Sequence, residues 1–168
     1  MAAGMTYEPI ATTTLGSSAS NITFSSISQS YTDLIIVVSG NTASGGEVGG
    51  DVKVGNNSVD TGGNYSMTEL YATGSSAASY REASKSYLNV LLSTSGTSTT
   101  NTILQFMNYS NTTTYKTFVS RSNVPTISLR TAVGLWRSTS AINIIQIGPY
   151  TGSWAAGTTA TIYGIAAA

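Results

Sequence analysis

The sequence contains no cysteine and no histidine. The first absence removes disulfide cross-links and thiol chemistry, and it leaves the redox compartment unread. The second removes the usual base beside a serine nucleophile, so the abundance of serine carries no catalytic meaning. Together they exclude zinc in its common His/Cys forms. Charge is scarce too. Seven basic and seven acidic side chains cancel to zero and make up 8% of the chain, against roughly a quarter in ordinary soluble domains. A nucleic-acid binder needs a positive patch to neutralise phosphates, and this balance does not supply one. Nor does it support attraction to an anionic membrane. The longest apolar runs, such as residues 34–38, are far too short to cross a bilayer. The opening Met-Ala-Ala-Gly-Met-Thr-Tyr has no basic-then-apolar signal pattern. The expectation is a soluble protein, used where it is made or released by lysis.

What is present is a chain of 168 residues, 40% hydrophobic, in which Ser, Thr, Asn and Gly supply the polarity. That length fits one domain, residues 1–168, with one sizeable core. Short β-branched or aromatic runs alternate with Gly/Ser/Asn/Thr clusters. They predict strands at 6–14, 21–27, 33–39, 51–54, 65–72, 87–93, 102–109, 115–120, 126–136, 141–147 and 159–165. Breakers lie between them at Gly45-Gly46, Gly49-Gly50, Gly62-Gly63, Gly74-Ser75-Ser76 and Gly148-Pro149. Strands this closely spaced, without a sustained helical period, indicate an all-β antiparallel sandwich or barrel. Helix, if present, is expected only as a turn or two near residues 76–84.

Two kinds of strand can be read. In the run from Ile127, the residues Ile127, Leu129, Val133 and Leu135 share one face with Thr131, and Ser128, Arg130, Ala132, Gly134 and Trp136 share the other. That strand is half buried. By contrast Leu34, Ile35, Ile36, Val37 and Val38, and again Val90, Leu91 and Leu92, are apolar on both faces. A strand apolar on both sides needs cover on both sides. The cover is either one of the chain's own loops or a neighbouring subunit, and on the second reading these eight residues form the subunit interface.

Catalytic and metal chemistry find no pattern. Lys53, Lys85 and Lys116 have no Ser-Lys motif around them, and the acids Glu8, Asp33, Glu47, Asp51, Asp60, Glu69 and Glu82 are scattered singly. Paired carboxylates for glycoside hydrolysis are therefore not indicated. Asp51, Asn56, Asn57, Asp60 and Asn64 could offer oxygens to calcium, but their spacing is not that of an EF-hand loop, and an Asn/Gly turn cluster is the expected reading. No phosphate loop appears. The reading is of a protein that is not an enzyme, with no catalytic, cofactor or metal residues. The tyrosines, with Trp136 and Trp154, are expected to pack across strands.

Several segments together carry a family resemblance. They are Tyr7-Glu8-Pro9-Ile10-Ala11-Thr12-Thr13-Thr14-Leu15 leading into Tyr31-Thr32-Asp33-Leu34, then Asn108-Tyr109-Ser110-Asn111-Thr112-Thr113-Thr114-Tyr115-Lys116-Thr117, then Val133-Gly134-Leu135-Trp136-Arg137-Ser138, and the close from Ala155-Ala156-Gly157-Thr158 to Tyr163-Gly164-Ile165. In this order they resemble small structural proteins of tailed bacteriophages, especially phages of aquatic bacteria. The resemblance implies a jelly-roll-like sandwich that forms a homotrimer in the virion, assembled in the host cytoplasm. It implies partners in further copies of itself and in other virion proteins such as the major capsid protein, with no cofactor. A decoration or cement role on the head is the first expectation. The second is a tail- or fibre-associated module whose exposed tyrosines contact host glycans, although no repeat or coiled-coil shaft is visible in the sequence. A polysaccharide hydrolase ranks last, for want of a carboxylate pair.

Overall fold

A computed structural model describes residues 6–44, 48–93 and 99–166, with the side chains of Val48, Leu92 and Ser93 left out of that description. Its strands are β1 (Tyr7–Thr14), β2 (Ile22–Phe24), β3 (Asp33–Gly40), β4 (Val48–Asn56), β5 (Ser58–Val59), β6 (Tyr65–Thr73), β7 (Ala77–Lys85), β8 (Leu88–Ser93), β9 (Thr100–Met107), β10 (Lys116–Val124), β11 (Ser128–Trp136), β12 (Ile144–Pro149) and β13 (Thr159–Ile165). They form two antiparallel sheets. The larger has the order β1-β13-β3-β9-β10-β11-β6-β7, and the smaller runs β2-β12-β4-β5 with β8 paired to β4. The fold is an all-β, two-sheet sandwich.

Alternating burial explains why these segments are strands that face each other. β3 reads Leu34, Ile36 and Val38 inward, and β10 buries Lys116, Phe118, Ser120, Ser122 and Val124 in the same alternation. Ile162, Ile36 and Leu104 line up across β13, β3 and β9, and all three are fully buried. The smaller sheet meets them with Val52, Val54, Ile145 and Ile147, giving one hydrophobic cluster between the layers. β8 lies against the inner side of β9, β10, β11 and β6, where the Ser120 hydroxyl donates to the Val90 carbonyl at 3.2 Å.

Two close approaches depend on glycine. Gly134 on β11 pairs with Phe118 on β10, whose ring fills the space where a Cβ at 134 would stand. Gly164 on β13 gives the same room to the ring of Tyr31, whose hydroxyl donates to Glu8 at 3.0 Å. In both places the missing side chain lets an aromatic lie flat on the sheet.

The structure corrects one expected element. Residues 76–84 are not helical: from Ala77 on they belong to β7, the edge strand beside β6. Ala and Glu favour a helix locally, but so short a run cannot offset helix nucleation. The turn closed by Thr73 N–H to the Ser76 carbonyl (2.8 Å) instead folds the segment back onto β6. The short β5, unforeseen in the sequence, follows the turn at Asn57, whose φ is 64°. Gly45, Gly46 and Glu47 and the centre of the Ser/Thr/Gly connection, residues 94–98, lie outside the described residues.

Candidate interaction surface

The inward face of the larger sheet carries the core, yet part of it is polar, and part of the outward face is apolar. On the β10–β11–β6 part, the inward side chains include Ser120, Ser122, Arg130 and Glu69, while the outward ones include Val119, Val133, Leu129 and Leu70. The outward residues are between 36% and 55% exposed, and Ile103 on β9 beside them is 50% exposed. The register continues the patch. One outward row reads Tyr163, Ile35, Gln105, Val119, Val133, Thr68 and Arg81 across seven strands, and the next reads Thr161, Val37, Ile103, Arg121, Thr131, Leu70 and Ser79. A shallow groove of about 340 Å³ runs between Val119, Val133, Leu135 and Met107, with Arg81 at its rim.

Strand spacing sets the scale of this face. Five strands at ~4.8 Å and four outward rows at ~6.8 Å give roughly 600 Å² for β3 to β6, and all eight strands give roughly 1,000 Å². With Gln105, Thr68, Arg121 and Thr131 among its outward positions, the apolar part is a few hundred Å², the size of the largest patch a monomer commonly exposes.

The inward polar groups are paired with one another. Arg130 Nε lies 3.3 Å from Glu69 Oε2, an ionic contact without hydrogen-bond alignment, and its Nη1 donates to the Asn89 side chain at 3.1 Å. Burial raises the Glu69 carboxyl above its ordinary pKa, Arg130 opposes this, and Glu82 adds to it. Glu82 is itself held by Lys85 at 2.7 Å. Thr102 and Ser122 share a 2.5 Å hydroxyl bond. Glu69, Thr102 and Ser122 are buried and turn their polarity into the sandwich, while Lys85 stays partly exposed at the edge strand.

Several of the residues singled out for chemistry make structural bonds. Asp60 organises a turn rather than an ion site: its carboxylate accepts from Gly62 N–H (2.7 Å), Asn64 Nδ2 (2.8 Å) and Trp136 Nε1 (2.8 Å), tying the end of the smaller sheet to β11. Burial pushes its carboxyl pKa up, and these three donors outweigh that and hold it low. Asn56 and Asn57 bond to Ala141 and Asn143 across the same corner. Lys116 is buried with its ammonium on the carbonyls of Thr114 and Thr139, and burial lowers its pKa. Lys53 lies with Asp51 in a small hollow on the smaller sheet. Burial pushes Asp51 up to about 6, against the pull of Lys53 and with help from Glu82. Among the described residues no three His, Cys, Asp or Glu side chains gather where they could hold a metal ion.

The chain matches no family model and no curated protein. Its surface must therefore be read from the fold itself.

The expected interface residues divide between inside and outside. Leu34, Ile36, Val38, Val90 and Leu91 are buried between the sheets, so their side chains cannot meet a neighbouring subunit. Ile35 and Val37 belong to the outer face. The side chain of Leu92 lies outside the described residues. Val90 and Leu91 are adjacent yet both buried because the β4–β8 register shifts between Gly50 and Asp51. The larger outer patch, from Ile103 to Leu70, is not foreseen in the sequence. Its one signal is Gly134, whose missing side chain leaves room for the ring of Phe118 on the inward side of β11.

Proposed function

We propose that this chain is a structural subunit of a virus particle: a jelly-roll-like sandwich acting as a homotrimeric decoration or cement protein that stabilises a phage head. The observation that carries the reading is the apolar outward patch: Val133, Leu129, Leu70 and Ile103 stand in water while Glu69 and Ser120 face inward, an arrangement that favours a covering partner. Sequences depart from the polar-out pattern where a surface has a partner. The outward positions include Gln105, Thr68, Arg121 and Thr131. With about half of the ~600 Å² apolar, burial at ~25 cal/mol per Å² gives about 8 kcal/mol gross, of the same order as association costs of ~4–15 kcal/mol. A contact of that strength suits a subunit whose contacts recur at many identical sites.

The jelly-roll part rests on how the chain crosses between layers. β1 and β3 are in the larger sheet and β2 and β4 in the smaller, and β12 and β13 divide the same way. A role by binding rather than catalysis is supported by the charged groups, which Asp60, Glu69, Glu82 and Arg130 commit to structural bonds. A second reading, a tail-associated module that contacts glycans, is favoured by Tyr150, exposed and with its ring tilted against that of Tyr87 at 5.7 Å.

Copy number per purified particle, measured by quantitative mass spectrometry against the major capsid protein, tests the proposal. Hundreds of copies are expected for a head decoration. A few to a few dozen would move the protein to the tail and favour the second reading. No copies would refute both.

A further inference from the structure

We infer that the outer face of the β3–β9–β10–β11–β6 region is the surface on which a second copy of this chain docks. The inference rests on the assembly reading above and names the partner and the place. Three observations select a copy of the chain over a different partner.

The first is area. The eight-strand face offers roughly 1,000 Å², close to the ~800 Å² that each partner contributes to a standard stable interface. Its apolar centre alone falls short, so the polar margins at β1, β13 and β7 must be used too. A segment of extended peptide would cover only a strip of this width. Another sheet face covers all of it.

The second is shape. Strands in a sheet twist with a fixed hand, and two such sheets stack at about −30° with their side chains interdigitated ~10 Å apart. The subunit's own two sheets share one core between them. An identical sheet has a matching twist, and the groove between Val119, Val133, Leu135 and Met107 gives its projecting aliphatic side chains somewhere to seat.

The third is charge. Across β3, β9, β10, β11 and β6 the outward positions in the two central rows carry one charged group, Arg121. Arg81 stands at the far margin on β7, and Asp33 begins β3 at the other side. A strongly acidic or basic partner would find almost nothing to pair with, whereas a second face of the same kind leaves few charges to desolvate. The row of Val119 and Val133 is the natural line of contact, because Arg121 lies one row away from it.

The test uses two substitutions at exposed positions, Val133→Lys and Ile103→Lys, with Thr23→Lys on the outer side of the smaller sheet as control. Sedimentation or light scattering gives the mass of each purified full chain in solution, and thermal melting confirms folding. The expected result is a closed oligomer for the wild type and the Thr23→Lys variant. Both face variants should be folded monomers, or associate at least tenfold more weakly. One face docked on its own copy is a two-fold contact. A dimer is therefore the oligomer this face predicts, and it removes the threefold of the proposed assembly; a trimer would overturn the face-to-face docking. A monomeric wild type, or an oligomer indifferent to both face variants, would overturn the inference. The particle count is an independent readout: copies in the virion with no self-association sink the docking face alone, and self-association without virion copies sinks the function alone.

Discussion

Ile35→Ala and Ile36→Ala change the same residue type at adjacent positions of one strand, and the structure gives them unequal costs. Ile36 is fully buried between Ile162 and Leu104, themselves fully buried. Truncating it leaves a cavity in a packed row, at a cost of about 3–4 kcal/mol. Ile35 faces outward between Tyr163 and Gln105 and is half-buried. Both variants lose one β-branched residue from a central strand, worth up to ~1 kcal/mol, so that loss cancels in the comparison. Ile35→Ala should then cost about 1 kcal/mol, and the difference should be 2–3 kcal/mol. Urea unfolding at low protein concentration, where copies are dissociated, measures it directly. In heat, Ile36→Ala should lower the melting temperature by roughly 8–14 °C. Equal losses, or a difference below ~1 kcal/mol, would refute the assignment of inner and outer faces. Repeating the melt at high concentration adds a second reading: if copies cover Ile35, its cost grows with concentration and that of Ile36 does not.

Other consequences follow from named groups. Asp51, with its carboxyl raised to about 6, binds its proton more tightly folded than unfolded, so it favours the folded state at low pH and opposes it as pH rises through about 6. A shift of two units is about 3 kcal/mol, which partial solvent access reduces to about 1 kcal/mol. Asp51→Asn should therefore raise stability at pH 7–8 and flatten its decline between pH 4 and 6, as read by urea titration across pH. Asp60 has the opposite sign: its carboxyl is held low, so its contribution is present at neutral pH and lost in acid. Asp60→Ala should cost about 2–4 kcal/mol at neutral pH by removing an ionised acceptor from three donors, with Trp136 fluorescence reporting the loosened corner. Gly134→Val should destabilise by 2–3 kcal/mol or more because the new side chain meets the ring of Phe118, and Phe118→Leu in the same chain should recover part of the loss.

Period-two alternation made most strands legible, because a strand with one face in a core must repeat every second residue. It also marked β3 as apolar on both sides, and the structure divides its residues accordingly: Leu34, Ile36 and Val38 inward, Ile35 and Val37 outward. Alternation could not say which side of β11 faces in. By hydrophobic count Leu129, Val133 and Leu135 should have been the core side, but Phe118 lying on Gly134 and Trp136 reaching Asp60 reverse it. Both are contacts between residues distant in sequence. The bulge at Gly50/Asp51 was equally hidden, and it breaks the alternation that would have placed Val90 and Leu91 on opposite faces. Residues 76–84 failed for another reason: their local preference is helical, and only pairing with β6 decides the outcome.

The strand order also dictates when the chain can fold. β1 pairs with β13, β2 with β12, and β3 with β9 and β13, so none of the first three strands has a partner nearby in sequence. The connections that close early are the hairpins β6–β7 and the β9–β10–β11 meander. Such distant pairings put folding in the slow range for small domains, milliseconds to seconds. During synthesis the early segments, including the apolar β3, must wait unpaired while later ones are made. That interval, more than the finished sandwich, is where neighbouring nascent copies are best placed to join wrongly.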